Sequence, residues 1–156
     1  MNVVKLIFSR AFMLNAVIAL AYLASSFTYA QTNDSVKPSL APEVFDWNTF
    51  ATELVADQLP PIQTHVLAVA HIAVHDALNA IDSRYEPYEY VGSAPNASVT
   101  AAVAAAAHDT LIRFLPAAAT QVDARYAAKL ASIPDSAAKN AGIVVGQSAA
   151  AAIQTR

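Results

Sequence analysis

The segment that most constrains this chain runs from Leu67 to Ile81, LAVAHIAVHDALNAI. It places two histidines, an acid and an amide in an otherwise apolar and strongly helical stretch: His71, His75, Asp76 and Asn79. A buried polar group without a hydrogen bond costs roughly 1–3 kcal/mol, so each of these side chains needs a partner. The segment is therefore either a functional site or a core whose polar groups are joined by hydrogen bonds.

Apolar periodicity predicts that this segment belongs to a helix from about residue 62 to residue 81. One stripe at three- and four-residue spacing places His71 inside an apolar seam, and its members are Leu67, His71, Val74, Leu78 and Ile81. A second stripe lies beside it, formed by His65, Ala68, Ile72, His75 and Asn79. A helix with two such stripes is expected to be buried on most of its circumference.

Proline, glycine and capping residues divide the rest of the chain into helices and loops. The predicted helices are about 48–57 before Pro60-Pro61, about 96–115 with Asn96 or Ser98 as cap, about 118–132, and one from 134 or 135, near Ser136, to the last residue. Residues 82–96 are predicted to form a tyrosine-rich loop. No alternating run predicts a strand, so the expected fold is all-α, a bundle of about five helices that is an incomplete part of a larger helical bundle.

Alanine dominates the second half of the chain, which predicts closely packed helices. Alanine is the best helix former but buries little area, so alanine faces must approach closely to exclude water. Gly142 and Gly146 are one turn apart and allow such an approach on the last helix. Lys139, Asn140 and Gln147 interrupt the run, which favours a water-soluble helix pair over a membrane pair.

The first thirty residues are typical of a secretory signal peptide. Lys5 and Arg10 give a positive start, an apolar run follows, and Thr28 and Ala30 have the small-residue pattern of a cleavage site. An uncleaved N-terminal anchor is the alternative, although the apolar run is short for a span of about 20 residues. Residues 31–46 are predicted to be a flexible leader before a helical domain at 47–156.

Composition restricts the partners and the compartment. The chain has a formal net charge of −3 and no cysteine. Without a basic patch it is unsuited to nucleic acid, and no membrane contact is expected after signal cleavage. A cysteine-free exported protein must rely on its core, so a periplasmic or secreted location is expected.

Metal binding and acid–base catalysis are the two chemical interpretations of the central segment. His71 and His75 are one turn apart and are candidate ligands of one metal ion, although a zinc-protease helix would have glutamate where Ile72 stands. The alternative is that both histidines are hydrogen-bonded core residues. Asp76 with His75 could be an acid–base pair, but adjacent residues on a helix point about 100° apart and no nucleophile has a recognisable spacing. No residue is therefore predicted to be catalytic.

Three further polar residues, His108, Arg113 and Arg125, have structural interpretations. His108 is expected to be a satisfied core or boundary histidine in the alanine-rich helix. Arg113 and Arg125 are expected on solvated faces or paired with Asp109 and Asp123.

Several short motifs occur in a fixed order along the chain. They are Trp47-Asn48, Pro60-Pro61, the segment 67–81, RYEPY at 84–88, the alanine helix with His108, Asp123-Ala-Arg-Tyr126, Ile133-Pro134 and AGIVVGQSAAAAIQTR at 141–156. In this order they resemble the N-terminal helical part of bacterial vanadium-dependent haloperoxidase-like proteins, relatives of the type 2 phosphatidic acid phosphatases. The chain departs from that pattern at Thr64-His65, where the family has an arginine, and at His75, where an aromatic ring is frequent.

The resemblance implies a vanadate or phosphate site in a C-terminal catalytic half, with the motifs Lys-x6-Arg-Pro, Pro-Ser-Gly-His and Ser-Arg followed by histidine. None occurs here. The chain has no Arg-Pro pair and no Ser-Gly-His, and Tyr90 stands where a histidine would follow Ser83-Arg84. We therefore expect an N-terminal scaffolding fragment that is inactive alone, holds no vanadate itself and packs against the catalytic bundle or another copy of itself. The alternatives are a free-standing exported helical module that binds a metal or small ligand through His71 and His75, and a helical interaction protein.

Overall fold

The computed structural model describes residues 41–155, and this part of the chain contains helices and loops but no strand. The helices are α1 (Ala41–Val55), α2 (Pro60–Ile81), α3 (Val99–Phe114), α4 (Ala119–Ala131) and α5 (Ala137–Gln154), with a 3-10 turn at Pro116–Ala118. The predicted all-α bundle of about five helices is confirmed for these residues. The predicted signal peptide at 1–30 and residues 31–40 of the predicted leader lie outside the described residues.

Helix α1 begins earlier than predicted. Residues 41–46, assigned to a flexible leader from the sequence, form its first turns. Pro42 lies in the first turn of this helix. Proline is compatible with that position because no intrahelical bond needs its missing N–H. Glu43 lies in this turn, and its carboxylate accepts a hydrogen bond from the indole Nε1 of Trp47 at 3.1 Å.

Helix α3 is the central helix of the domain and packs against α1, α2, α4 and α5. Nine of its sixteen residues are buried, and six of those nine are alanines. Such a helix can be surrounded on nearly all sides because no long side chain holds its neighbours away. The core therefore lies around α3, with Trp47, Val66, Leu111 and Val122 supplying larger apolar groups from the surrounding helices and from α3 itself.

The contact between α3 and α5 confirms the close approach predicted from the two glycines. A Cβ atom at Gly142 would overlap the Ser98 carbonyl oxygen, and one at Gly146 would overlap the Ala102 carbonyl oxygen. The backbones therefore touch where both side chains are absent. Within residues 41–155, no helix has the length and apolar character needed to cross a bilayer.

Serine caps set the starts of the two helices that make this contact. Ser98 accepts a hydrogen bond from the Ala101 amide, and Ser136 accepts one from the Lys139 amide. Both serines were candidate caps, and each satisfies an amide that has no partner inside its helix. Helix α5 ends at Gln154, so the prediction that it continues to the last residue is wrong.

Helix α2 buries most of the predicted seam. Val74 is buried, and Leu67, Leu78 and Ile81 pack against the core, whereas His71 is exposed. A stripe of alanines beside this seam is buried more completely, at Ala70, Ala73, Ala77 and Ala80. The prediction that α2 is buried on most of its circumference is wrong, since His65, Ala68 and His71 face solvent.

Candidate functional site

Asp76 is the most completely bonded side chain of the central segment. It is 1% exposed, and its two carboxylate oxygens accept hydrogen bonds from the backbone amides of Tyr88, Glu89 and Tyr90 at 2.8–2.9 Å. The loop after α2 thus turns around one carboxylate. For Asp76, this arrangement confirms the interpretation of the segment as a core whose polar groups are joined by hydrogen bonds.

The hydrogen bonds also control the ionisation of Asp76. Burial raises the pKa of the carboxyl group, but hydrogen bonds from the three backbone amides and His75 together lower it by more. The pKa of Asp76 therefore lies below its usual 3.8. Asp76 is therefore a carboxylate at neutral pH, and it is fully committed to its amide partners. A group in this state is a poor general acid, because it holds no proton and has little freedom to move.

Asn79 holds the first part of the same loop. Its side-chain oxygen accepts from the backbone amides of Arg84 and Tyr85, and its side-chain nitrogen donates to the Tyr85 carbonyl oxygen at 2.6 Å. One amide group therefore replaces the backbone partners that an irregular loop lacks. The loop is further tied to α2 by a bond from the Ala94 amide to the Ala80 carbonyl oxygen.

His75 connects this buried network to the surface. Its Nδ1 lies 3.0 Å from the Asp76 carboxylate, and its ring contacts the rings of Tyr85 and Tyr88. Adjacent helical residues point about 100° apart, but the His75 ring rotates toward the Asp76 side chain and reaches it. Because the carboxylate is an acceptor, Nδ1 carries the hydrogen and Nε2 of a neutral ring has a free lone pair.

His71 lies one turn before His75 but has a different partner. Its Nε2 is 2.8 Å from the side-chain oxygen of Asn48 on α1. This contact joins α1 to α2 at the protein surface. Among the described residues, no group of three or more histidine, aspartate or glutamate side chains is placed to hold a metal ion, and binding by His71 and His75 stays a prediction.

A pocket of about 250 Å³ lies between α1, α2 and α3. Its walls are mainly apolar and include Trp47, Ala51, Ala70, Val74, Ala107 and Leu111. Asn48, His71 and His75 are its polar lining residues. This pocket was not predicted from the sequence, although alanines on three facing helices indicate that space remains between them.

His108 forms the second histidine–carboxylate cluster, between α3 and α4. Its Nδ1 is 2.7 Å from the Asp109 carboxylate and its Nε2 is 2.9 Å from the Asp123 carboxylate, while its ring stacks on Tyr126 at 4.1 Å. Burial lowers the pKa of the ring, but hydrogen bonds to the two carboxylates raise it more, so the pKa lies above 6.5. The expected satisfied boundary histidine is confirmed.

The arginine pairings differ from those predicted. Asp109 and Asp123 are engaged by His108, and Arg125 instead reaches Asp46 on α1, with Nη2 2.6 Å from the carboxylate. The Arg125 guanidinium also lies 4.5 Å from the centre of the Phe50 ring. Arg113 is exposed, as its solvated-face interpretation predicted.

Lys129 adds a second ionic contact between α4 and α1. Its ammonium is 3.1 Å from the Glu43 carboxylate, the same group that accepts from Trp47. The ion pairs of Arg125 and Lys129 together hold the start of α1 against α4. Their partners Glu43 and Asp46 lie in the stretch that was predicted to be a flexible leader. The two ion pairs were therefore not predicted from the sequence.

Comparison with known proteins finds no matching family model, no matching curated protein and no matching solved structure.

Proposed function

We propose that this helical domain is a scaffold of an exported protein resembling vanadium-dependent haloperoxidases, and that it covers and positions a catalytic bundle without performing the chemistry itself. The observation that supports this proposal is the use made of the polar residues in α2. The side chains of Asp76 and Asn79 form hydrogen bonds with the backbone of residues 84–90. The segment 67–81, whose polar residues had suggested a functional site, therefore holds the loop after α2 in its conformation.

Exposed apolar side chains support the scaffolding part of the proposal. Phe45 and Leu59 are each 70% exposed and Val144 is 59% exposed, on α1, before α2 and on α5 respectively. Large apolar side chains at the surface lose their contact with water when another helical layer packs against them. The partner is either the catalytic bundle, where vanadate or phosphate would bind, or a second copy of this chain.

An activity assay tests the inactive-scaffold part. The purified chain, incubated with vanadate, hydrogen peroxide and bromide, is expected to give no halide oxidation above a protein-free control. It is also expected to leave an aryl phosphate unhydrolysed. Turnover of either substrate that is lost in Asp76→Asn or His75→Gln would overturn the proposal, because it would place chemistry in the segment that we assign to loop folding.

Sedimentation tests the partner surface. We expect the weight-average mass of the purified chain to rise with protein concentration, and Phe45→Ser to reduce that rise. Thr49→Ser is the matched control, since it changes an exposed residue of α1 while its hydroxyl can keep the bond to the Phe45 carbonyl oxygen. A monomer at every concentration would count against a surface that needs a partner.

The mass of the exported chain tests the compartment. When the full sequence is expressed in a bacterial host, the protein is expected in the periplasm or medium with Gln31 as its first residue, as cleavage after Ala30 requires. An intact, membrane-associated chain beginning at Met1 would instead support an uncleaved N-terminal anchor.

A further inference from the structure

The pocket between α1, α2 and α3 is a site with a defined chemistry that goes beyond the scaffolding role. It exists because Ala51, Ala70 and Ala107 meet where larger side chains would fill the space. An engineered apolar cavity of about 150 Å³ is large enough to hold benzene. The pocket here, at about 250 Å³, has room for a six-membered ring with a substituent.

Its polar lining residues have fixed hydrogen-bonding roles. The Asn48 side-chain oxygen is an acceptor, so the His71 Nε2 that contacts it carries a hydrogen. These two atoms therefore satisfy each other. At His75, Asp76 accepts the hydrogen on Nδ1, so Nε2 of a neutral ring is an acceptor. No hydrogen bond to that nitrogen is made by any residue in the described range.

The same surroundings discriminate against charged ligands. A charged group would lose its hydration among mainly apolar walls, and no ion pair inside the pocket would compensate. An anion would also approach the Asp76 carboxylate, which lies 3.0 Å from the other nitrogen of His75. A neutral ligand with one hydroxyl group meets neither penalty.

We propose that this pocket binds a small uncharged alcohol or phenol, with its apolar body between Ala51, Ala70 and Ala107 and its hydroxyl donating to Nε2 of His75. The buried Asp76 acts as a positioning residue, since its carboxylate orients the imidazole through Nδ1. A neutral hydrogen bond contributes about 0.5–1.5 kcal/mol, so His75 adds at most about tenfold in affinity to what the apolar walls supply.

The chain carries its own reporter for this binding. Trp47 is the only tryptophan, is 2% exposed and lines the pocket. Cyclohexanol, which absorbs little ultraviolet light, can therefore be titrated into the full chain while the tryptophan emission is recorded. We expect a saturable change with a Kd on the order of 1 mM, appropriate to a ligand of few atoms. Cyclohexanecarboxylate and cyclohexylammonium should bind at least about tenfold more weakly.

Three variants separate the pocket from non-specific effects. Ala70→Leu places three extra carbons in the space and should abolish the saturable change. Ala128→Leu makes the same substitution on the exposed face of α4 and should leave it intact. His75→Phe keeps a ring of similar size and should weaken cyclohexanol up to about tenfold, whereas the weak binding of the charged analogues, which the apolar walls cause, should persist.

Thermal melting keeps the test decisive if Ala70→Leu does not fold. A ligand of the folded state raises the melting temperature in proportion to its occupancy, so cyclohexanol should raise the wild-type melting temperature and its charged analogues should not. The proposal is overturned if cyclohexanol gives neither a saturable emission change nor a stabilisation, or if the carboxylate or ammonium analogue binds as well as the alcohol. It is also overturned if a folded Ala70→Leu variant binds as the wild type does.

Discussion

The loop after α2 and the contact between α3 and α5 are held together by opposite means. The loop depends on polar groups, because Asp76 and Asn79 replace the backbone partners that residues 84–90 lack. The α3–α5 contact depends on absent side chains, because Gly142 and Gly146 let one backbone rest against the other. The first region is therefore sensitive to removing atoms and the second to adding them.

This difference also separates the two regions in how they respond to solution conditions. Hydrogen bonds to a carboxylate depend on its ionisation, whereas contact between alanine and glycine surfaces has nothing to titrate. The lowered pKa of Asp76 stabilises the fold above its unfolded value of about 3.8, and this contribution is lost as pH falls through the folded pKa. Acid should therefore loosen the loop before it affects the α3–α5 contact.

The largest effect is expected from Asp76→Ala. Three buried backbone amides would lose their acceptor together, and each unsatisfied group costs about 1–3 kcal/mol, partly recovered when water enters. We expect the free energy of unfolding, measured with urea, to fall by about 3 kcal/mol or more. Asp57→Ala, at an exposed site after α1, should change it by less than about 0.5 kcal/mol. A small loss in Asp76→Ala would mean that the loop is not held through this carboxylate.

Gly146→Ala tests the other region by adding a single methyl group. Alanine is intrinsically better than glycine in a helix by about 1 kcal/mol, but its Cβ would overlap the Ala102 carbonyl oxygen. We expect overpacking to prevail and the free energy of unfolding to fall by about 1–3 kcal/mol. Gln147→Ala, on the exposed face of the same helix, is the control. A stabilised Gly146→Ala variant would show that α5 can move away without cost.

His108 gives a polar contact between helices with the opposite pH response to Asp76. Its pKa is raised above 6.5, so its contribution is fully present below about pH 6.5 and is lost as pH rises through the folded pKa. Urea unfolding between pH 5.5 and 9 should show this loss in the wild type and not in His108→Gln. Tyr126→Phe keeps the ring that stacks on His108 and should retain the wild-type response. Equal slopes in the wild type and His108→Gln would remove His108 as the cause.

The smallest effect is expected at Thr110, a fully buried residue of α3. Its hydroxyl has no hydrogen-bond partner among the described residues. Thr110→Val keeps the shape and removes the unpaired group, so the free energy of unfolding should rise by up to about 1 kcal/mol. Thr64→Val is the contrasting control, since that exposed hydroxyl donates to the Pro60 carbonyl oxygen. A destabilised Thr110→Val variant would contradict an unpaired hydroxyl at this position.

Much of the fold followed from local signals in the sequence. Proline pairs, serine caps and glycine spacing act within a few residues, and they predicted the separation of α1 from α2, the caps at Ser98 and Ser136 and the close approach of α5. The buried face of α2 was predicted only in part, because its apolar pattern includes many alanines. Alanine lies on both faces of this helix, buried at Ala70 and exposed at Ala68, so its periodicity carries little information about which face packs inward.

The candidate site was predictable in its needs but not in its partners. Four polar groups in an apolar helix require hydrogen bonds, and this much is a general rule. That Asp76 takes three loop amides, or that Arg125 pairs with Asp46 rather than Asp123, depends on where distant segments meet. Asp46 and Arg125 are 79 residues apart, and no local pattern joins them.

The alanine-rich core around α3 has a consequence for side-chain disorder. Burying a leucine or isoleucine side chain costs about 0.5–1 kcal/mol in lost rotamer freedom, whereas alanine has no rotamers to lose. Each of the six buried alanines of α3 contributes little apolar area but is ordered without that entropic cost. For the same reason these residues have no alternative rotamers into which they could repack. At these six positions the side-chain arrangement is therefore set by the backbone alone.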